Sequence, residues 1–164
     1  MSMRLKDLEI YLNRQQPDFY QFAMALTADE DLSEKLIKDA QYLLLAEERE
    51  ELSLQLESQN SNPTSFFRFS RTFILSTIFR IARKNNLFQP PREGYSDRIE
   101  HHAFWTLPMD HRAVLCLRHK LRFSKEEVTE ILDITKVEYF NLLNLARESL
   151  LKNSGGTANL AETY

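Results

Sequence analysis

Glycine and proline are scarce in this chain of 164 residues, with three of the first and five of the second. So few turn formers leave little room for the tight turns of a sandwich or barrel, and no stretch alternates apolar and polar residues over strand length. Cysteine is rarer still. The single thiol, Cys116, has no second cysteine with which to close a disulfide, and among Val114, Leu115 and Leu117 it reads as a buried, unreactive group. No apolar run approaches the roughly 20 residues that span a bilayer, and the charged N-terminus lacks a signal-peptide core. No glycine-rich phosphate loop stands out, and no nucleophile with a matching base. These absences predict an all-α protein in the cytoplasm, with no membrane partner, no cofactor and no enzymatic role.

What is present is a 43% hydrophobic chain, enough for one ordinary domain or two small ones. Its net charge is −3, unexpected for a protein that binds nucleic acid. The distribution says more than the sum. Residues 1–62 hold 13 acids and 6 bases, residues 63–100 hold 3 and 7, and residues 101–164 hold 8 and 8. Only the middle segment attracts a phosphate backbone.

Residues 107–150 carry the clearest pattern. Ser124, with Glu127 three residues on, is a capping box, and Val128, Ile131 and Leu132 form the buried stripe of a short helix. Asp133, Ile134 and Thr135 interrupt it, with Thr135 capping the next helix. Tyr139, Leu143, Ala146 and Leu150 then line one helical face. A short helix, a tight turn and a longer helix are the geometry that sets a second helix in a DNA major groove.

At these residues a family resemblance becomes visible. Leu107 with Pro108, residues 112–118 (RAVLCLR), 124–132 (SKEEVTEIL) and 145–150 (LARESL) resemble the promoter-recognition domain of bacterial RNA polymerase sigma factors, most closely the small two-domain extracytoplasmic-function group. The resemblance implies a helical, sigma domain 2-like bundle over residues 1–88 and a sigma domain 4-like helix-turn-helix domain over 98–152. Between them, residues 89–97, with Pro90, Pro91 and Gly94, form the best linker, and the tail at 153–164 lacks apolar periodicity and is expected to be disordered.

Within the first segment, Leu5, Leu8, Ile10 and Leu12 suggest one short helix, and Pro17 suits the first turn of a second, with Phe19, Phe22, Ala23 and Leu26 on its buried face. A third helix is expected from Ser33 to about residue 56, turning Leu36, Ile37, Ala40, Leu43, Leu44 and Ala46 inward, with a solvated acidic run at 47–51. Residues 19–26, the turn at 28–31 and residues 32–41 are similar to the helix pair with which sigma factors grip polymerase. That resemblance marks Glu34, Lys38 and Asp39 as partner-binding residues and RNA polymerase core as a partner.

The helix expected at about 64–87 interleaves Phe66, Phe67, Phe69, Phe73 and Phe79 with Arg68, Arg71, Arg80, Arg83 and Lys84. Such a pattern binds separated DNA strands by charge and base stacking. It equally describes a core helix with a basic edge, since Ile74, Leu75, Ile78, Ile81 and Ala82 claim a buried face. Residues 78–85 resemble the sigma helix that opens the downstream promoter element, which implies DNA contacts by Arg80, Arg83, Lys84 and Asn85. His101, His102, His111 and His119 fit no standard zinc spacing with Cys116, so no metal is expected. Trp105 reads as a core or domain-contact residue.

On the second helix of the helix-turn-helix, Asn141 and Asn144 have the chemistry to read adenines, and Lys136 and Arg147 to touch phosphates. Glu138 opposes that role. Phe140, Leu142 and Leu145 are surplus apolar residues; where Phe140, Asn141 and Leu142 stand the family carries basic and small hydroxyl side chains, and Phe140 and Leu142 suit a protein partner instead. Two functional readings follow. The first is a sigma-factor-like regulator of transcription initiation that binds polymerase core and promoter DNA. The second is a mimic or adaptor that meets a protein, an anti-sigma factor or polymerase, with little or no DNA binding.

Overall fold

The computed structural model describes residues 2–46, 63–88 and 103–153, all of whose regular elements are helical. Helices α1 (Ser2–Thr27), α2 (Glu30–Ala46) and α3 (Pro63–Lys84) pack on one another as a bundle. Helix α4 (Met109–Leu115) runs into a π-helical turn (Cys116–Lys120), followed by α5 (Lys125–Leu132) and α6 (Lys136–Asn153). α4 and α5 both pack on α6, α1 touches α4, and α3 lies against α5. The expected linker, the acidic run, the C-terminal end of the expected third helix, His101, His102 and the tail from 154 onward lie outside the described residues.

Helix α1 departs from expectation. Two short helices separated near Pro17 are one continuous helix with the proline inside it. A proline there removes the bond to the carbonyl four residues back and costs about 3 kcal/mol. Leu8 and Leu12 before it, and Phe19, Phe22, Ala23 and Leu26 after it, all enter one core. Each large side chain gains about 1.5–3 kcal/mol on burial, so a shared face outweighs the broken turn. Ala28 then takes a left-handed conformation (φ 56°), and the Asp29 carboxylate accepts from the Leu32 amide at 2.8 Å to cap α2. In α2, Leu36, Ile37, Ala40 and Leu44 are buried as expected. Leu43 is only half-buried and Ala46 is exposed, because they turn away from the face that α1 and α3 cover.

Helix α3 resolves the ambiguity of its phenylalanines. Phe66 and Phe79 are buried, and Phe67, Phe69 and Phe73 are packed partly covered on the core, so these rings hold the bundle together. Tyr11 stacks on Phe67 with ring centroids 4.7 Å apart.

The helix-turn-helix follows its local signals closely. The Ser124 hydroxyl accepts from the Glu127 amide at 3.2 Å, and the Glu127 carboxylate accepts from the Ser124 amide at 3.3 Å. A second reciprocal cap joins Thr135 and Glu138 at 3.1 Å in both directions. Asp133 supplies the left-handed turn residue at φ 54°, and Tyr139, Leu143, Ala146 and Leu150 are all buried.

Two polar ties join these helices to the bundle. The Arg112 side chain is 2% exposed. It donates from Nε to the Ala25 carbonyl at 2.8 Å, from Nη2 to the Leu26 carbonyl at 3.0 Å, and from Nη1 to the Leu107 carbonyl. Ala25 and Leu26 lie in the last turn of α1, where carbonyls lack intrahelical partners and the helix dipole favours a cation. The guanidinium stacks on Phe88, 4.0 Å from its ring centre, with Trp105 beyond it at 5.9 Å. Burial pushes Arg112 down to about 10, so it remains charged at neutral pH. In the second tie, Arg71 of α3 pairs with Glu127 and lies 4.6 Å over Phe123. One carboxylate thus caps α5 and anchors it to α3.

Replacing Arg112 with Met leaves three carbonyls unsatisfied and is expected to lower unfolding free energy by about 3–5 kcal/mol in urea titration, with Lys failing to restore it because it lacks the planar fork. Pro17→Ala, at an exposed position, is expected to raise stability by about 1–3 kcal/mol in the same assay.

Candidate nucleic-acid and partner interfaces

The C-terminal end of α3 gathers the charges that the sequence assigned to DNA. Arg80, Arg83, Lys84 and Asn85 are all exposed. The Asn85 side-chain amide donates to the Ile81 carbonyl at 3.1 Å, and Asn86 turns left-handed at φ 51°, so the cations sit around a capped helix end. Opposite them stands the C-terminal end of α5. The groove between the two, about 680 Å³, has Ser76, Phe79, Arg80, Arg83 and Lys84 on one wall and Glu130, Ile131, Leu132 and Asp133 on the other. Arg83 also approaches Asp110 of α4 at 3.9 Å, an exposed pair worth little by itself. The cationic edge therefore faces acids from the helix-turn-helix across an open cleft.

A second groove, about 460 Å³, runs between α1 and α2. Glu34 and Lys38 line it with Gln16, Pro17, Tyr20, Ile37 and Gln41. Asp39 is exposed on α2 outside that lining, and Tyr42 and Leu45 continue the helix as exposed apolar side chains. Two of the three residues assigned to polymerase thus share one groove, beside the apolar surfaces of Pro17, Tyr20 and Ile37.

The third place is the outward face of α6. Lys136, Asn141, Asn144 and Arg147 are all exposed. Phe140 is 50% exposed, Leu145 53% and Val137 69%. Leu142 is not among them: it lies half-buried against the core, because its position on the helix turns it toward the flank rather than outward. Val137 was overlooked in the sequence, although it precedes Phe140 by one helical turn. Lys125 of α5 sets its ammonium 5.5 Å from the Phe140 ring.

Arg147 is oriented rather than free. It donates from Nε at 3.1 Å and Nη2 at 2.8 Å to Nε2 of His119, which must be neutral to accept both. Partial burial and the neighbouring Arg147 and Arg118 push His119 down to about 4. Burial also lowers His111. Cys116 is buried with its Sγ 3.9 Å from the Gln21 carbonyl, and burial pushes the thiol up to about 12, which suits an inert group.

No protein-family model matches the sequence, and neither does any curated protein. Among solved structures the chain is similar to the sigma factor RpoE of Bartonella quintana, determined in complex with the anti-sigma factor NepR, with 21% identity over 90% of this chain and 96% of that one and a TM-score of 0.54. The chain has the sigma-factor fold. The resemblance read in residues 107–150 thus extends through the three-helix bundle as well. Within the sigma-factor fold, α3 and α6 are the elements on which the candidate DNA residues lie.

Because His119 is held near 4 in the folded chain and returns to 6.5 on unfolding, only the unfolded chain binds that proton between those pH values. Stability is therefore present in full above pH 6.5 and falls as pH drops toward 4. Tm measured against pH is expected to show that fall, and His119→Asn should make it shallower, His111 supplying the remainder.

Proposed function

We propose that this protein is a sigma-factor-like regulator of transcription initiation, which binds RNA polymerase core through the α1–α2 groove and contacts promoter DNA with the C-terminal end of α3. The exposed cluster of Arg80, Arg83 and Lys84 carries this reading. Long basic side chains around a helix end attract phosphate. The fold shared with a sigma factor supports it. So does the groove that brings Glu34 and Lys38 together, since mixed charges beside apolar side chains suit a protein surface.

A second reading concerns the helix-turn-helix half. Its outward helix presents Val137, Phe140 and Leu145 where base reading calls for donors and acceptors, which favours contact with a protein, an anti-sigma factor or polymerase itself. The two readings are compatible if the halves have separate tasks.

Purified chain mixed with polymerase core from its own cells is expected to bind, and Glu34→Lys with Lys38→Glu to weaken that binding at least about tenfold, or about 1.4 kcal/mol. Arg83→Glu with Lys84→Glu should keep core binding and lose promoter-dependent transcription. A wild-type chain that ignores core polymerase would sink the first reading.

A further inference from the structure

The cleft between α3 and α5 is lined by opposite charges that do not meet. Arg80, Arg83 and Lys84 stand at i, i+3 and i+4 on one wall, Glu130 and Asp133 on the other, and all five are exposed. Among the described residues Arg80, Lys84, Glu130 and Asp133 enter no ion pair, and Arg83 reaches only Asp110, at 3.9 Å. Because the two signs stand apart, neither neutralises the other at contact distance. The acidic wall is held in place from behind. Arg71 pairs with Glu127 one turn before Glu130, and the Asp133 amide donates to the Glu130 carbonyl at 3.4 Å to close the left-handed turn. The floor between the walls is closed, since Phe79, Ile131 and Leu132 are at most 6% exposed. Arg83 lies over the Phe79 ring, 5.8 Å from its centre. The volume of about 680 Å³ falls within the range of small-molecule sites, about 300–1,000 Å³.

These features select among ligands. A closed apolar floor offers no pocket for the anchoring side chain that a protein partner inserts. A nucleic-acid strand carries phosphate at every nucleotide, so a strand crossing the cleft sets negative charge against Glu130 and Asp133. What answers both walls is a compact ligand, anionic at one end and rich in N–H donors at the other. We propose that the cleft binds a guanine nucleotide, its phosphates on Arg80, Arg83 and Lys84 and its base edge on the carboxylate of Glu130 or Asp133. The N1–H and the N2 amine of guanine lie side by side, and one carboxylate accepts from both. Adenine sets an acceptor nitrogen beside its amine, which a carboxylate repels. Arg83, held over Phe79, offers the base a planar cation on which to stack. This binding goes beyond the promoter reading and does not depend on it, although both use the same cations. Where both hold, bound nucleotide withdraws those cations from DNA.

The test uses the full chain with GDP and ADP carrying a fluorescent label on the ribose. Fluorescence anisotropy is expected to give GDP at least about tenfold tighter binding than ADP. Arg80→Glu with Lys84→Glu should abolish GDP binding. Glu130→Gln with Asp133→Asn should remove the preference for GDP while both nucleotides still bind. Asparagine keeps the left-handed turn at 133, so the circular dichroism spectrum of that variant should not change. No GDP binding up to about 1 mM, binding that survives the Arg80 and Lys84 changes, or equal affinity of the unaltered chain for GDP and ADP overturns the proposal. Binding of polymerase core and promoter DNA, measured without nucleotide, tests the promoter reading separately.

Discussion

A single buried guanidinium organises the relation between the bundle and the helix-turn-helix. Arg112 rises from α4, yet two of its three carbonyl partners belong to the last turn of α1. A charge removed from water costs several kcal/mol unless every donor direction is used. Here the planar fork meets carbonyls with no helical partner, and Phe88 and Trp105 cover its faces. The end of α1 and the start of α4 satisfy each other, and neither is complete alone. One such contact leaves rotation free. The Arg71 pair with Glu127, set on Phe123, adds a second point and defines the orientation.

That orientation decides what the surfaces can meet. It brings the acidic end of α5 across from the basic end of α3, so the strongest cationic cluster shares its groove with Glu130 and Asp133. A phosphate backbone entering there meets both signs, and its affinity depends on how far the two walls stand apart. On the far side, α6 is left with one face uncovered. Its buried stripe is fully used by α4 and α5, which makes Val137, Phe140 and Leu145 surplus to folding. Apolar residues that the core does not need are informative because their exposure is unfavourable and folding does not explain them.

Much of the helical layout was legible from local rules. The capping box at Ser124, the buried stripes of α2, α5 and α6 and the buried thiol at Cys116 all depend on neighbours within one or two helical turns. The continuous α1 was not legible. Pro17 is a strong local signal for a helix start, and the burial that overrides it involves α2, α3 and α4. Nor was the inward placement of Leu142, since its flanking position is covered or bare depending on what stands beside α6. Of the candidate interfaces, the exposure of Arg80, Arg83 and Lys84 followed from composition, whereas the facing acids did not.

The sequence by itself therefore determined an all-α chain with a helix-turn-helix, because capping, periodicity and the scarcity of glycine and proline act over a few residues. Only the tertiary structure decided that Arg112 is buried and that Arg71 is anchored, because their partners lie 86 or 87 positions away for Arg112 and 56 for Arg71. Backbone carbonyls are present at every residue and leave no mark in a sequence. Which of them a guanidinium reaches is a property of how the helices pack, and the available surfaces follow from that packing.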